Sequence, residues 1–414
     1  MAYGGLIRLS NVLWSYSRQS GAGIALGLRH TKTVSPVQDS LQGYRHIFSA
    51  AALGVENYEE NREKVLLQFQ NIQDKFRQQM HEILQSETKA MIFTEDFKNA
   101  IHLAECKDED MSLVVGMAKR FNSQHGGLRF GVYVFGPVVM RMFHYLNQPE
   151  YMLQALRSKE LEGFFDQIIS YQLAMDLLFK HGMYQEVIDV FEELQEKRLN
   201  GIKYPKNCLT LSLAACYKIN TIESYHKMLE FFEGSQEYGT HLTARHISFS
   251  SALSLNQGFP HISLEILSKA TNVRLLSIMN LKVLSLAELN RVEDVLPILR
   301  SLLRVDLPDT HPRGGSQMIF ETTVKKVEQA VNETGNKELI AEYSHIAKGL
   351  QGNGFISVKT LDDFICAPIE QLPSKNPKFS IDRDRAMLAA SFNQNSRSQR
   401  RRKSGGRPGL MDME

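Results

Sequence analysis

Residue types that carry most protein chemistry are present in this chain, but they are not grouped at catalytic spacings. His81 and Glu82 begin like a zinc-hydrolase motif, yet Gln85 stands where the second histidine ligand would be needed. Asp362 and Asp363 are adjacent, so on a helix their carboxylates point in different directions and do not form a two-metal site. The 13 histidines show no ligand spacing, and neither a Gly-x-Ser-x-Gly elbow nor a phosphate-loop motif occurs. The sequence therefore predicts no catalytic residue, no metal and no cofactor, and it favours a non-enzymatic protein.

The cysteines do not indicate a metal or redox site either. Their spacing matches no zinc motif, and Cys-x-x-Cys does not occur. This pattern favours free, buried thiols in a reducing compartment. The four residues are Cys106, Cys208, Cys216 and Cys366.

Charge is concentrated at the two ends of the chain. Residues 1–32 contain four basic residues and no acidic one, and serines and apolar residues are interspersed. This composition is typical of a mitochondrial transit peptide, with a merely disordered N-terminus as the alternative. Residues 385–414 contain seven basic residues against two acidic ones and few apolar ones after Phe392, which predicts a disordered basic tail. The stretch from Arg400 to Lys403 fits a solvated charge run best, with a nuclear signal or a non-specific RNA contact as alternatives.

Composition between the ends favours helices. The net charge of the whole chain is only +2, so the body between the basic ends is slightly acidic and a basic coat for nucleic acid is not expected. Helix-forming residues fill long stretches, strand patterns are almost absent, and only the apolar run 130–139 is ambiguous. No run of about 18 apolar residues occurs, so we predict no membrane span.

Apolar residues recur at helical spacing throughout the body. One stripe between Asn57 and Gln85 predicts a single long amphipathic helix, and Thr94 followed by two acids predicts the start of the next. Further along, polar turns separate pairs of apolar stripes, at steps of 34, 38, 38 and 32 residues. Paired helices of this length bury their apolar faces only when pairs stack, so the pattern predicts an all-α protein, an α-solenoid of stacked helical hairpins. The predicted turn residues are Gln148, Gly182, Asn220, Gly258 and Asn290.

The sequence thus divides into five predicted segments. They are a transit peptide at 1–32, an N-terminal helical segment at 55–125, helical repeats at 128–303, irregular C-terminal helices or a cap at 304–372, and a basic tail at 385–414.

Residues 170–191, SYQLAMDLLFKHGMYQEVIDVF, resemble a pentatricopeptide repeat. Tyr171 stands near the start of the first helix, Gln172 follows it, Gly182 makes the turn, and an acidic second helix ends in Phe191. The tetratricopeptide pattern, which has a similar length, requires a Trp, a Gly-Tyr pair and a late Pro that are missing here. The resemblance implies a protein of the mitochondrial matrix that binds single-stranded RNA and acts in RNA processing, maturation or transcript stability.

The resemblance also implies one base-facing residue on each first helix, ten positions before the turn residue. Hydroxyl and amide side chains occupy this place in four repeats and can hydrogen-bond a base edge, whereas Val138 departs from the pattern. Polar residues inside helices are otherwise exposed or bonded to their own helix. The predicted base-facing residues are Gln172, Thr210, Ser248 and Asn280.

A second position that reads bases in this family corresponds to Pro205, Thr243 and Leu275, of which Thr243 alone can hydrogen-bond as the family pattern expects. We therefore expect short, weakly specific or partner-assisted RNA recognition. Basic residues near the turns are candidates for phosphate contacts, with solvated surface charges as the alternative. They are Lys180, Lys218, Arg245 and Lys282, with Lys206 and Arg291 as further candidates.

Two other functions stay open at this stage. A helical solenoid also binds peptides, so a scaffold for mitochondrial ribosome or respiratory-complex assembly is the alternative to RNA binding. A metal-dependent hydrolase is the third possibility, since fold does not determine function. An RNA-binding face would be polar and contain Lys and Arg, whereas a peptide-binding face would contain apolar pockets.

Overall fold

The computed structural model describes residues 46–86, 91–124, 133–303 and 318–369, and most of these residues are helical. The predicted transit peptide, the predicted basic tail and the Pro/Gly-rich stretch at 304–317 lie outside the described residues. No helix in the described part of the chain combines the length and the apolarity that a membrane crossing requires.

Among the residues that the structure describes, five helices precede the repeats. They are α1 (Ala50–Leu53), α2 (Val55–Phe69), α3 (Gln73–Gln85), α4 (Thr94–Leu103) and α5 (Asp108–Ser123). The start of α4 at Thr94 is as predicted, but the prediction of one helix from Asn57 to Gln85 is wrong. The chain breaks at Ile72, with φ −126° and ψ 7°, because α2 packs on α4 and α6 whereas α3 packs on α5. A single apolar stripe does not reveal that its two halves have different partners.

Helical hairpins follow, and each consists of a first and a second helix. The first helices are α6 (Gly136–Tyr145), α8 (Ile168–Lys180), α10 (Lys206–Ile219), α12 (Ala244–Asn256), α14 (Leu276–Glu288) and α16 (Glu321–Glu333). The second helices are α7 (Pro149–Leu156), α9 (Tyr184–Lys197), α11 (Ile222–Glu237), α13 (Pro260–Ser268), α15 (Val292–Leu303) and α17 (Lys337–Gly352). Successive first helices pack against one another, and each also packs against neighbouring second helices. This is a helical repeat solenoid, and we call the succession of first helices the first-helix row.

The turns inside the hairpins are made by residues in the left-handed region. Asn147, Gly182, Asn220, Gly258 and Asn290 have φ values between 53° and 79°. Gly and Asn adopt this conformation more readily than other residues, which is why they terminate helices. Four of the five predicted turn residues are confirmed, and the earliest is Asn147 rather than its neighbour at position 148.

The C-terminal part of the chain returns to the first-helix row. After α17, the strand β2 (Ile356–Ser357) pairs in parallel with β1 (Ile319–Phe320), and the short helix α18 (Leu361–Ile365) follows. Residues 360–369, which we call the C-terminal strap, then reach the N-terminal end, where Ile369 pairs with Phe48. The strap side chains Ile365 and Cys366 belong to the same apolar core as the hairpins from α6 to α13.

A substitution at Gly258 tests the turn geometry. Its φ is +79°, and a Cβ added there would meet no atom within 4 Å, so conformation alone decides the effect. We expect Gly258→Val to lower the free energy of unfolding by about 1–2 kcal/mol, because a β-branched residue is strained at positive φ. Gly258→Asn should stay within about 0.5 kcal/mol of the unchanged protein, since asparagine makes three equivalent turns here. Urea unfolding of the three proteins measures the difference, and equal losses in both variants would contradict this account.

Candidate functional site

The central first helices are buried over most of their length. Every residue is buried from Ser170 to Phe179 on α8, from Cys208 to Cys216 on α10 and from His246 to Ser254 on α12. A helix in a two-layer array normally keeps one polar face in solvent. These three helices do not, so the side of the row that faces away from the second helices is covered as well.

The four predicted base-facing residues lie at equivalent places in this row and are all buried. Their exposed fractions are 5% for Gln172, 3% for Thr210, 1% for Ser248 and 0% for Asn280. Each directs its polar atoms to the next first helix or to the segment that begins it. The amide of Asn207 on α10 donates to Gln172 Oε1 on α8 at 3.1 Å, and the hydroxyl of Ser248 on α12 donates to Ser277 on α14 at 2.9 Å. We call this series of contacts the polar ladder.

Thr210 and His246 make the ladder contact between α10 and α12. His246 Nδ1 accepts from the backbone N–H of Thr243 at 3.2 Å, so the ring proton of the neutral imidazole is on Nε2. Nε2 lies 2.8 Å from the hydroxyl of Thr210 and 3.1 Å from the carbonyl oxygen of Lys206. Burial lowers the pKa of His246 to about 4, because the cation would lose its hydration. The imidazole is therefore neutral and joins the helix cap of α12 to α10.

Asn280 makes the corresponding contact at the end of the row. Its side-chain Oδ1 accepts from the backbone N–H of Phe320 at 3.0 Å, and Nδ2 donates to the carbonyl oxygen of Met318 at 3.3 Å. The amide thus engages an extended backbone segment with both its donor and its acceptor, as it would engage the edge of a base. In this structure, Met318 and Phe320 of the same chain bind the polar atoms of Asn280.

The partners in the ladder were not predicted from the sequence. Asn207, His246 and Ser277 follow their partners by 35, 36 and 29 residues, close to the repeat length. A search for polar residues one repeat apart would have found them. The structure does not decide whether the four residues also contact bases, and that role stays a prediction.

The three positions assigned to the second reading site also lie at equivalent places. Pro205, Thr243 and Leu275 are the N-cap residues of α10, α12 and α14. Thr243 uses its hydroxyl to accept from the backbone N–H of His246, so its hydrogen-bonding group serves the helix cap.

The predicted phosphate contacts fall into two groups. Lys218 and Arg245 are bound to the C-terminal strap, whereas Lys180 donates to Asn147 and Lys282 is exposed on α14. Burial lowers the pKa of Lys180, and the nearby carboxylate of Asp176 partly opposes that effect. Lys180 is partly buried and bonded to Asn147, so its ammonium group is held at a defined position on α8.

The strap contacts with Lys218 and Arg245 are specific in geometry. Lys218 Nζ lies 2.8 and 3.0 Å from the two carboxylate oxygens of Asp362. Arg245 donates to the carbonyl oxygens of Phe364, Ile365 and Ala367. Burial alone would lower the pKa of Lys218, but its hydrogen bond to Asp362 and its attraction to Cys366 raise it on balance. Both cations are therefore already matched with oxygen acceptors of α18 and the turn that follows it.

A second polar cluster joins α6 to α8. His144 Nε2 lies 3.0 Å from Asp176 Oδ2, and His46 Nδ1 lies 3.9 Å from the same oxygen. Asp176 is fully buried, and its other oxygen has no hydrogen-bond partner. Within residues 46–86, 91–124, 133–303 and 318–369, no three His, Cys, Asp or Glu side chains are placed to hold a metal ion. Sequence reasoning missed this cluster because its members lie on three separate segments.

Removal of the His246 imidazole tests the ladder by its pH dependence. The pKa of this histidine is 6.5 in the unfolded chain and about 4 in the folded protein. Between these pH values the unfolded chain binds a proton that the folded protein does not, so the free energy of unfolding decreases as pH falls from 6.5 towards 4. The maximum contribution is about 3 kcal/mol. In His246→Gln the titrating group is gone, and Gln can preserve the reciprocal cap with Thr243. We expect the difference in unfolding free energy between pH 7.5 and pH 5 to be smaller in His246→Gln than in the unchanged protein.

His102, with a pKa also near 4, is present in both proteins, so its contribution cancels in the comparison. An equal difference in the two proteins would contradict the lowered pKa of His246.

No family model matches the chain. Three proteins named pentatricopeptide repeat-containing protein 2, mitochondrial, are similar to it. The mouse protein is 28% identical over 72% of this chain and 73% of its own length. The Xenopus laevis protein is 25% identical over 81% and 85%, and the human protein is 26% identical over 64% and 66%.

These similarities extend well beyond residues 170–191, which carried the resemblance in the sequence. The relatives are named for repeats of about 35 residues. The fold agrees with that name, since it is an array of helical hairpins with Gly or Asn at the turns. The chain is therefore similar, over most of its length, to mitochondrial proteins named for pentatricopeptide repeats.

Proposed function

We propose that this protein binds single-stranded RNA along the first-helix row, in the mitochondrial matrix, and acts without catalysis in RNA processing, maturation or transcript stability. Three relatives are named mitochondrial pentatricopeptide repeat proteins, which supports the location and the class of ligand. The acid-free composition of residues 1–32 supports import.

The observation that carries this proposal is the way Lys218 and Arg245 hold the strap. Both side chains present their cations to oxygen acceptors of α18 and the turn after it, namely the Asp362 carboxylate and backbone carbonyl oxygens. The phosphates of single-stranded RNA also present oxygen acceptors to Lys and Arg, and these carry negative charge. Lys180 stands in the repeat before Lys218, two residues ahead of the turn in each case, so two successive repeats supply a cation at the same place.

Base recognition by Gln172, Thr210, Ser248 and Asn280 remains part of the proposal. The four side chains recur at one place per first helix, as a register of one base per repeat requires. Because they are buried, they reach a base only when the covered side of the row is opened. Backbone contacts by Lys and Arg therefore precede base contacts in this scheme.

Protein binding is the second candidate, and one observation favours it. The row binds a peptide segment in this structure, namely the strap, with Ile365 at 1% and Cys366 at 0% exposure. A scaffold would bind a short peptide segment of a partner in the same manner. RNA remains our first choice, since the polar contacts to the strap are made by the cations predicted to contact phosphates.

Loss of two cations on the row tests the RNA proposal. We expect Lys180→Gln combined with Lys282→Gln to weaken binding of a labelled single-stranded RNA of about 20 nucleotides, with the salt dependence reduced by about two counterions. Neither lysine contacts the strap, so the result reports on RNA contact alone. Fluorescence anisotropy across a salt series measures both quantities.

The matched control is Lys227→Gln combined with Lys348→Gln, which removes the same charge from the second helices α11 and α17. This control should change affinity little. If both pairs weaken binding equally, RNA binds by non-specific attraction and not along the first-helix row. If crosslinking in isolated mitochondria recovers protein partners but no RNA, the scaffold function replaces the proposal.

A further inference from the structure

The C-terminal strap lies along the part of the molecule proposed to bind RNA. Asp362 binds Lys218 of α10, and three strap carbonyls bind Arg245 of α12. The strap helix α18 also packs on α14, and the ring of Phe364 lies 5.8 Å from that of Phe320. At the far end, Ile369 N–H donates to the carbonyl oxygen of Ile47 at 2.8 Å.

We propose that the strap is an intramolecular competitor of RNA, which covers the first-helix row at rest and is displaced when RNA binds. The inference rests on the RNA-binding function proposed above and adds its regulation. RNA phosphates would take the place of the Asp362 carboxylate on Lys218 and of the strap carbonyls on Arg245. A guanidinium binds phosphate with two parallel hydrogen bonds to an anion, whereas the strap offers Arg245 only uncharged carbonyl oxygens.

The strap is attached in a way that permits release. Its helix α18 has only five residues, and Asp362 keeps 41% of its side chain exposed. Val358, just before the strap, is 84% exposed, so the approach to the strap is not embedded in the core. A short element with few buried side chains opens at lower free energy than the rest of a fold.

The expected effect on RNA binding follows from the fraction of time that the row is open. Apparent affinity equals intrinsic affinity multiplied by the open fraction. A strap that is bound about nine-tenths of the time weakens RNA binding about tenfold. Fixing the strap in place should weaken binding further, and dislodging it should restore the intrinsic affinity.

A reversible disulfide across the pair Phe48 and Ile369 fixes the strap. The two residues face each other in a parallel bridge, where Cα atoms come within the range of about 4.4–6.8 Å that a disulfide needs. The variant is Phe48→Cys with Ile369→Cys, and the exposed Cys106 is replaced by Ser in every protein compared. The full chain is tested oxidised and reduced, with a labelled mixed-sequence single-stranded RNA of about 20 nucleotides.

We expect the oxidised protein to bind this RNA at least about tenfold more weakly than the same protein after reduction. Equal affinities in the two states would overturn the competition and make the strap a permanent cap, while the proposed function stands. Absence of RNA binding in both states and in the unlocked chain would overturn the proposed function itself. The two failures are therefore distinguishable.

A release variant gives an independent reading. Ile365→Asp places an unpaired carboxylate in the core at a residue that is 1% exposed, which expels the strap. The added negative charge by itself opposes RNA, so tighter binding can only come from uncovering the row. Val358→Asp adds the same charge at an exposed position and serves as the matched control.

We expect Ile365→Asp to bind the RNA about tenfold more tightly than Val358→Asp. Hydrogen exchange of the Ile369 amide should rise in that variant, and also in the unchanged protein when RNA is added, because the amide loses its bond to Ile47. Unchanged exchange on RNA addition, with RNA bound, would overturn the proposal. If Ile365→Asp fails to fold, the disulfide experiment decides alone.

Discussion

The lateral contact between successive first helices is the constraint on which the rest of the structure depends. A helical hairpin cannot bury its own apolar faces, so each one is stable only between neighbours. The polar ladder fixes how those neighbours register, because a buried hydroxyl or amide without its partner destabilises the fold by roughly 1–3 kcal/mol. Thr210 and His246 illustrate the coupling, since one imidazole completes the cap of its own helix and also bonds the preceding helix. Stacking, capping and inter-repeat contact are therefore set by the same few side chains.

Sequence reasoning succeeded where the determinant is local. The turn residues Gly182 and Asn220 were predicted because few residue types adopt positive φ after a helix, and the hairpin array follows from their spacing. It failed where a contact between residues far apart in sequence determines a helix end or the burial of a side chain. The break at Ile72 arises because α2 and α3 have different partner helices. Gln172 and Ser248 lie at equivalent places in their helices, but their burial depends on contacts with the neighbouring helix, which the local sequence does not reveal.

The strap is the largest feature that no periodicity reveals. Lys218 and Asp362 are 144 residues apart, and the chain between them passes through three further hairpins before it returns. From the sequence, Asp362 and its acidic neighbour indicate only that they do not form a two-metal site, and nothing local predicts that Asp362 binds Lys218. Lys218, the cation that binds Asp362, was predicted to contact an RNA phosphate. The structure joins the two residues, and their pairing connects the charge pattern of the row to the route of the C-terminal chain.

The proposed competition between strap and RNA does not require the polar ladder to break. The ladder bonds run between first helices or to Met318 and Phe320, and none of them involves residues 360–369. Displacement of the strap therefore leaves the ladder and the register of the repeats intact. The free-energy difference between covered and open states is then set by the strap alone. Burial of Ile365 and Cys366 favours the covered state, while the conformational entropy lost on ordering the strap backbone opposes it. Binding to RNA shifts this equilibrium towards the open state in so far as RNA binds the open state more tightly than the covered one.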